Sequence, residues 1–266
     1  MRYVIQLAYD GSAFCGWQVQ PGMKTVEGSV EAALSTLLRE EITVTGAGRT
    51  DTGVNASQYI AHFDTSVPIA FEPKDFVYKL NAITPREIVI KDVFRTRDDF
   101  HARFDAESRS YTYFLHRMED PFVSRYSWLW KGPLDFEAMN RAAALIPGKR
   151  DFSCFEKTGG ANKTSVCDVK EAFWAPYTPG MQQVFGTGPS LRAGNDAPYW
   201  YFRISADRFL RNMVRAVVGS LIEVGRGRRE PEWIAELISS GTRSDAGESV
   251  PGHALFLSKI EYGSLK

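Results

Sequence analysis

Two hydrophobic periods alternate along the chain and restrict its fold more than any other feature of the sequence. Short runs rich in β-branched and aromatic residues, at 3–8, 109–115 and 199–205, are typical of β-strands. Between such runs lie segments whose apolar residues are three and four apart, the spacing of an amphipathic helix. Several neighbouring strands are close enough in sequence to form antiparallel hairpins. The pattern predicts an α+β fold of two sheet-plus-helix halves, residues 1–105 and 106–266.

Several helix boundaries are marked in the sequence. Thr25 and Asp135 each precede an amphipathic segment and are predicted to cap it. A further helix is predicted over 209–224, where Arg211 and Arg215 stand four residues apart and therefore share a face. Residues 176–198 contain many Gly and Pro residues and little periodicity, which indicates a long mobile excursion at a sheet edge.

Composition excludes several classes of protein. With 44% hydrophobic and 24% charged residues, the 266-residue chain is typical of a soluble globular protein. We find no apolar run long enough to span a membrane and no secretory signal. Cys15, Cys154 and Cys167 form no C-x-x-C motif, which argues against a disulfide framework or structural zinc. A reducing, cytoplasmic location is expected.

The most informative loop is residues 46–58, where Arg49 and Asp51 lie among three glycines and between two β-rich runs. Glycine allows close backbone approach, so the loop is suited to holding something against its main chain. Loops at strand ends often carry catalytic groups. A polar hairpin whose Asp51 only satisfies turn amides has the same composition. The loop alone leaves both interpretations open.

A second feature is a cluster of cations and aromatic residues in the C-terminal half. Between 203 and 229 the chain has seven arginines and two carboxylates, although its net charge is zero. Such a cluster neutralises phosphates, but a solvated helix face has the same appearance. Tyr111 and Tyr113 lie on one face of a predicted strand, where packing and base stacking are both possible roles. A carboxylate, an aromatic platform and arginines together indicate a site for a nucleobase and its phosphates.

These pieces resemble the TruA family of tRNA pseudouridine synthases in order and in chemistry, over nearly the whole chain. The segments that carry the resemblance are Gly16-Trp17-Gln18, Gly48-Arg49-Thr50-Asp51-x-Gly53-Val54, Phe100-His101-Ala102-Arg103-Phe104, Arg109-x-Tyr111-x-Tyr113 and Phe209-Leu210-x-x-Met213-Val214-Arg215-x-x-Val218-Gly219.

The resemblance implies isomerisation of uridine to pseudouridine at positions 38, 39 and 40 of the tRNA anticodon stem-loop. It implies no metal and no organic cofactor. The implied fold is two α+β halves that share a curved, mostly antiparallel sheet, with the active site in a central cleft. The implied assembly is a homodimer that grips tRNA.

By motif position Asp51 matches the catalytic aspartate of the family and Tyr111 matches its base-stacking tyrosine. Arg215 matches the arginine paired with that aspartate, and Arg49 matches a loop arginine near the RNA. Asn55 stands where the family commonly has His, which puts any acid/base role at this position in doubt. Further candidates for phosphate contact are Arg103, Arg208 and Arg211.

Two other functions compete with this one. A non-catalytic RNA-binding protein would use Tyr111, Tyr113 and the arginines, but it would gain nothing from a carboxylate facing RNA phosphates. A glycosidase with paired carboxylates needs a second acid opposite Asp51, and the sequence offers no candidate. For the isomerase itself two routes stay open, because Asp51 either attacks C1′ of the ribose or removes the C2′ proton.

Overall fold

The computed structural model describes residues 1–159, 164–186 and 197–265. The chain forms two compact units, of which the first consists of Met1–Arg109 and Phe256–Lys266 and the second of Ser110–Leu255. The last strand thus belongs to the unit that contains the N-terminus. The predicted domain boundary between residues 105 and 106 stays a prediction.

Ten strands and six helices lie in the part of the chain that the structure describes. In chain order they are β1 (Arg2–Tyr9), α1 (Val26–Leu38), β2 (Val44–Gly46), β3 (Asn55–Asp64), α2 (Pro73–Ile83), β4 (Ile88–Arg95), β5 (Ala106–His116), β6 (Trp128–Leu129), α3 (Phe136–Ala143), β7 (Gly148–Asp151), β8 (Val166–Pro176), α4 (Gly180–Phe185), β9 (Tyr199–Ala206), α5 (Met213–Gly225), α6 (Trp233–Ser240) and β10 (Leu255–Tyr262).

In the first unit the strand order is β4-β1-β3-β10, and β2 pairs with β3. Strand β1 is antiparallel to both β3 and β4, whereas β10 runs parallel to β3 through Phe256 and Leu257. Val4 and Ile5 are successive residues of β1 and are both fully buried, as expected for a strand covered on both faces.

In the second unit the strand order is β5-β9-β8-β7, and β6 lies beside β5. Strand β8 is antiparallel to β7 and to β9. The core of this unit includes the apolar face of α5, on which Val217, Val218 and Leu221 are fully buried. Phe136 of α3 stacks on Trp200 of β9 with ring centroids 3.7 Å apart. The α+β class and the mostly antiparallel strand pairing are confirmed.

The predicted capping residues are also confirmed. Thr25 accepts a hydrogen bond from the Gly28 amide at the start of α1. Asp135 accepts from the amides of Glu137 and Ala138 at the start of α3. Each cap satisfies amides that have no partner within the helix.

The predicted start of the arginine-bearing helix is wrong. Helix α5 begins at Met213, because Asn212 takes a left-handed conformation with φ of 64° and interrupts the helical path. The carbonyl of Arg211 accepts from the amide of Lys157 at 3.0 Å. Arg211 therefore lies outside the helix and does not share a helical face with Arg215.

Two predicted loops also differ from the structure. Strand β3 already begins at Asn55, so the last four residues of the predicted loop 46–58 are strand. Within the predicted excursion 176–198 the structure has the short helix α4, while residues 187–196 lie outside the described residues.

The three cysteines are free thiols. Cys154 and Cys167 are buried in the second unit, and burial raises the pKa of each thiol to about 12, so both are neutral at physiological pH. No cluster of three or more His, Cys, Asp or Glu side chains suited to a metal occurs among the described residues. Within the same residues, the helices are all too short or too polar to cross a membrane.

Candidate active site

Asp51 lies in the loop that joins β2 to β3 in the first unit. The two strands are antiparallel, with Gly46 opposite Ala61, and the loop starts directly beyond this pair. The Val54 amide donates to the Asp51 carbonyl at 3.1 Å and closes a turn around the aspartate. Asp51 is half-buried, so its side chain is partly accessible to solvent while the turn holds its main chain.

Thr50, the neighbour of Asp51, is anchored through both its main chain and its side chain. Its carbonyl accepts from the Trp17 amide at 3.1 Å, and its hydroxyl lies 2.8 Å from the hydroxyl of Tyr9. Thr50 is only 7% exposed. Because these contacts hold the residue next to Asp51, the main chain that carries the carboxylate has a rigid support.

A layer of aromatic rings supports the same loop. Trp17 stacks on Tyr59 with ring centroids 4.0 Å apart, and both side chains are buried. The Tyr59 hydroxyl donates to the carbonyl of Gly48. Gly16 has φ of +85°, and a Cβ there would lie 2.6 Å from the Thr50 carbonyl oxygen. The segment that packs against the main chain of this loop is therefore residues 16–17 of the same unit.

Asn55 has a structural role in this unit. Its side chain is buried, and its Oδ1 accepts from the Gly11 amide at 2.9 Å. This bond joins the segment after β1 to the end of the Asp51 loop. An amide side chain does not exchange protons near neutral pH, so Asn55 acts as a hydrogen-bonding residue and not as an acid or base.

Arg103 and the exposed Phe104 lie in a turn just before β5. The Arg103 guanidinium lies 5.8 Å from the Phe104 ring centroid, and Phe104 is 74% exposed. Arg109 donates to the carbonyls of Arg103 at 2.6 Å, Ala106 at 3.1 Å and Ala47 at 3.1 Å. Arg109 thereby ties this turn to the start of the Asp51 loop, a role that its place in the Arg-x-Tyr-x-Tyr motif did not predict.

His62 links β3 to the same turn. Its Nδ1 accepts from the Ala102 amide at 3.2 Å, and the side chain is 5% exposed. Burial, assisted by the positive charges of Arg2 and His101, lowers the pKa of His62 from 6.5 to about 4. The ring is therefore neutral in the folded protein over the physiological range.

The buried, neutral His62 makes the protein less stable as the pH is lowered. Protonation favours the unfolded chain, whose His62 has the higher pKa, so the contribution is present above pH 6.5 and is lost as pH falls to about 4. The loss amounts to about 3 kcal/mol.

The variant His62→Asn tests this contribution. An amide oxygen replaces the Nδ1 acceptor, and the new side chain does not titrate. We expect urea unfolding of this variant to vary less between pH 7 and pH 4.5 than that of the wild type. An equal decrease in both proteins would contradict the assignment.

Tyr111 lies on β5 in the second unit and is half-buried. Its ring makes an edge-to-face contact with the ring of Phe209, with centroids 5.1 Å apart and planes at 86°. Such edge-to-face packing fixes the orientation of both rings. Phe209 is a supporting residue that sequence analysis placed in a motif without a role; its aromatic character beside Arg208 was the available signal.

Arg215 lies in the first turn of α5. Its Nε donates to the Val250 carbonyl at 2.7 Å, and the Val250 amide donates to the Arg215 carbonyl at 3.3 Å. The segment before β10 thus fixes the arginine from two directions. The first turn of α5 contains no acidic residue, so the arginine adds to the positive potential of the helix N-terminus.

Gly219 lets this segment approach α5. A Cβ at Gly219 would lie 1.8 Å from the carbonyl oxygen of Glu248, a backbone atom that cannot turn aside. We expect Gly219→Ala to lower the free energy of unfolding by about 3 kcal/mol, because the added methyl overpacks the contact. Denaturant unfolding measures the change. Gly180→Ala is the control, since a Cβ there meets nothing within 4 Å; equal stability of the two variants would contradict the prediction.

The seven arginines between 203 and 229 do not form one patch. Arg208 and Arg211 precede α5, and Arg215 lies in its first turn. Two others, Arg226 and Arg228, pair with Glu223 near the end of the helix, about 20 Å away by helix length. The cations at the two ends of α5 thus form separate groups, and Phe209, the ring partner of Tyr111, is next to Arg208 in the chain.

The structure assigns the predicted site residues to two units. Asp51, Arg49 and Arg103 lie in the first unit, and Arg49 and Arg103 are exposed. The members in the second unit are Tyr111, Arg208, Arg211 and Arg215. Pairing of Asp51 with Arg215 stays a prediction.

Comparison with known proteins identifies the class. A family model described as tRNA pseudouridine synthase matches residues 142–263. A "tRNA pseudouridine synthase A" of Porphyromonas gingivalis is 42% identical over 99% of this chain and 98% of its own length. Proteins with the same name from Parabacteroides distasonis and Bacteroides fragilis are 42% and 41% identical, over 98% of this chain and 96% of their own lengths. The chain therefore belongs to the family of tRNA pseudouridine synthases. Its members are isomerases, which confirms the class of enzyme predicted from the motifs.

Proposed function

We propose that this chain converts uridine to pseudouridine at positions 38, 39 and 40 of the tRNA anticodon stem-loop, with Asp51 as the catalytic carboxylate. The observation that supports the proposal is a half-buried aspartate in a firmly anchored loop. Its neighbour Thr50 is hydrogen-bonded to Trp17 and to Tyr9. A turn aspartate that only satisfied loop amides would not need this support. The three positions are those that the resemblance to the TruA family implies.

The chemistry needs one ionised carboxylate and a pocket that retains a detached base. The N1–C1′ bond of uridine breaks, the uracil turns, a C5–C1′ bond forms, and the C5 proton is lost while N1 gains one. The reaction is an isomerisation, so it consumes no co-substrate. Asp51 serves either as the nucleophile at C1′ or as the base that removes the C2′ proton, and both routes need its oxygen close to the ribose.

The second unit supplies the remaining groups in this proposal. Tyr111, held by its contact with Phe209, stacks on the extruded uracil. Arg215, held by Val250, is the proposed charge partner of Asp51. Contacts to the RNA phosphates are assigned to Arg49, Arg103, Arg208 and Arg211.

The proposal is tested by mapping pseudouridine in tRNA transcripts incubated with the purified chain. Transcripts with uridine at 38, 39 and 40 should gain pseudouridine there, and matched transcripts with cytidine at these positions should not. Tritium release from 5-³H-uridine tRNA gives the rate. Modification at other positions would refute the site assignment, and binding without tritium release would favour the non-catalytic RNA-binding alternative.

We also infer that the enzyme is a cytoplasmic homodimer. The support for both statements is the resemblance in sequence, together with free cysteines that suit a reducing compartment. Sedimentation equilibrium should give twice the chain mass; a monomer at micromolar concentration would refute the dimer.

A further inference from the structure

A buried carboxylate lies at the start of α1, close to the Asp51 loop of the first unit. Glu27 is the second residue of this helix and is 5% exposed. The helix N-terminus favours a negative charge at this position. Burial raises the pKa of Glu27, and the charge of Arg49 acts in the opposite direction. A carboxylate in such a place needs hydrogen-bond donors around it.

Three donors from one short segment converge on Glu27. Trp17 Nε1 donates to one carboxylate oxygen at 3.0 Å. Gln18 Nε2 and the Val19 amide donate to the other oxygen at 2.6 Å and 2.8 Å. Glu27 therefore fixes the segment 17–19, which includes the tryptophan under the Asp51 loop.

The carboxylate also decides which way the Gln18 amide points. An ionised carboxylate only accepts hydrogen bonds, so the NH₂ group of Gln18 must face Glu27. The opposite side of the amide, Oε1, then faces Arg49 and accepts from its Nε at 2.9 Å. The result is a chain from a buried negative charge, through one amide, to an exposed positive charge.

We propose that Glu27 is a positioning residue for Arg49 and acts through Gln18. By fixing the amide, Glu27 fixes the direction of the guanidinium, which lies two residues before Asp51 on the exposed side of the loop. Gln18 and Glu27 thus belong to the substrate-binding apparatus without touching substrate. The contact of Arg49 with RNA phosphate, and hence the kinetic effect, rests on the proposed function.

Glu27→Met tests the proposal through kinetics. Methionine has the length of glutamate but neither oxygen, so Gln18 loses the acceptor that fixes its amide and no longer holds Oε1 toward Arg49. We expect KM for tRNA to rise about tenfold while kcat changes by less than about twofold. Glu31→Met is the control, because Glu31 lies one turn further along α1 and accepts from the Val44 amide at 2.9 Å, away from Gln18. This variant should have the KM and kcat of wild type.

A double-variant cycle separates positioning from a general effect on folding. In an Arg49→Ala background, adding Glu27→Met should raise KM by less than about twofold, because the group that Glu27 positions is gone. Gln18→Met is a second route to the same loss, since it breaks the chain and leaves Glu27 bonded to Trp17 and Val19. A full Glu27→Met effect without Arg49, or normal KM in Gln18→Met, would overturn the proposal.

A readout without RNA keeps this inference distinct from the proposed function. The Arg49 Nε–H gives its own ¹⁵N-resolved proton signal, which is assigned by its disappearance in Arg49→Lys. In Glu27→Met and in Gln18→Met this proton should exchange with water at least about tenfold faster than in wild type. Unchanged exchange would overturn the proposal even in an active enzyme. Faster exchange in a protein that makes no pseudouridine would support the positioning and refute the proposed function alone.

Discussion

Asp51→Asn is expected to lower the rate of pseudouridine formation by about 10³-fold or more. Asparagine has the size and shape of aspartate but supplies neither a nucleophile nor a base. The loop should keep its conformation, because its anchors are Thr50, Tyr9 and Trp17 and the turn bond uses the main-chain carbonyl of residue 51. Affinity for tRNA should therefore stay within about threefold of wild type.

The measurement is tritium release from 5-³H-uridine tRNA, with a filter-binding assay beside it. Asp92→Asn is a matched control, since Asp92 is an exposed aspartate on β4 of the same unit. It should show normal turnover and binding. Appreciable turnover by Asp51→Asn would remove Asp51 from the mechanism, whichever route through C1′ or C2′ is followed.

The alternation of strands and helices was predictable, because it follows from local pattern and local chemistry. Apolar spacing located α1 and α3, and the caps at Thr25 and Asp135 need only residues two or three positions away. The short strands β6 and β7, of two and four residues, are too brief for a periodic signal. Their existence depends on the strand next to them.

The start of α5 shows why pattern alone was insufficient. Residues 209–224 carry a continuous helical spacing, yet the helix begins at Met213. The left-handed conformation of Asn212 and the bond from Lys157 to the Arg211 carbonyl interrupt it. Lys157 is distant in sequence, so its contact could not be inferred from the period.

The candidate site shows the same difference between what local sequence predicts and what depends on tertiary contacts. Asp51, Tyr111 and Arg215 came from motifs, because the chemistry of a base-handling site needs those residue types. The residues that hold them came only from the structure. Arg109 reaches the Ala47 carbonyl 62 positions away, and Val250 reaches Arg215 across 35 positions. Such supports depend on tertiary packing, which leaves no local mark in a sequence.

Arg215→Ala is expected to lower pseudouridine formation by about a hundredfold or more, because it removes a fixed positive charge from the proposed site. Folding should persist, since loss of one hydrogen bond to the Val250 carbonyl costs about 1 kcal/mol. Arg215→Lys should not restore the rate. A lysine ammonium is a single point charge and cannot bind Val250 through one edge while presenting a planar guanidinium edge to a carboxylate.

Arg226→Ala is the control for Arg215→Ala, since Arg226 ends the same helix and pairs with Glu223 at 2.9 Å. It should retain activity. A double variant then tests whether Arg215 acts on Asp51. Asp51→Asn already removes the charge that the arginine is proposed to balance, so adding Arg215→Ala should lower the residual rate by less than about threefold. An additive loss would mean that Arg215 acts elsewhere on the RNA, for instance on a phosphate, and normal turnover of Arg215→Ala would exclude it from the site.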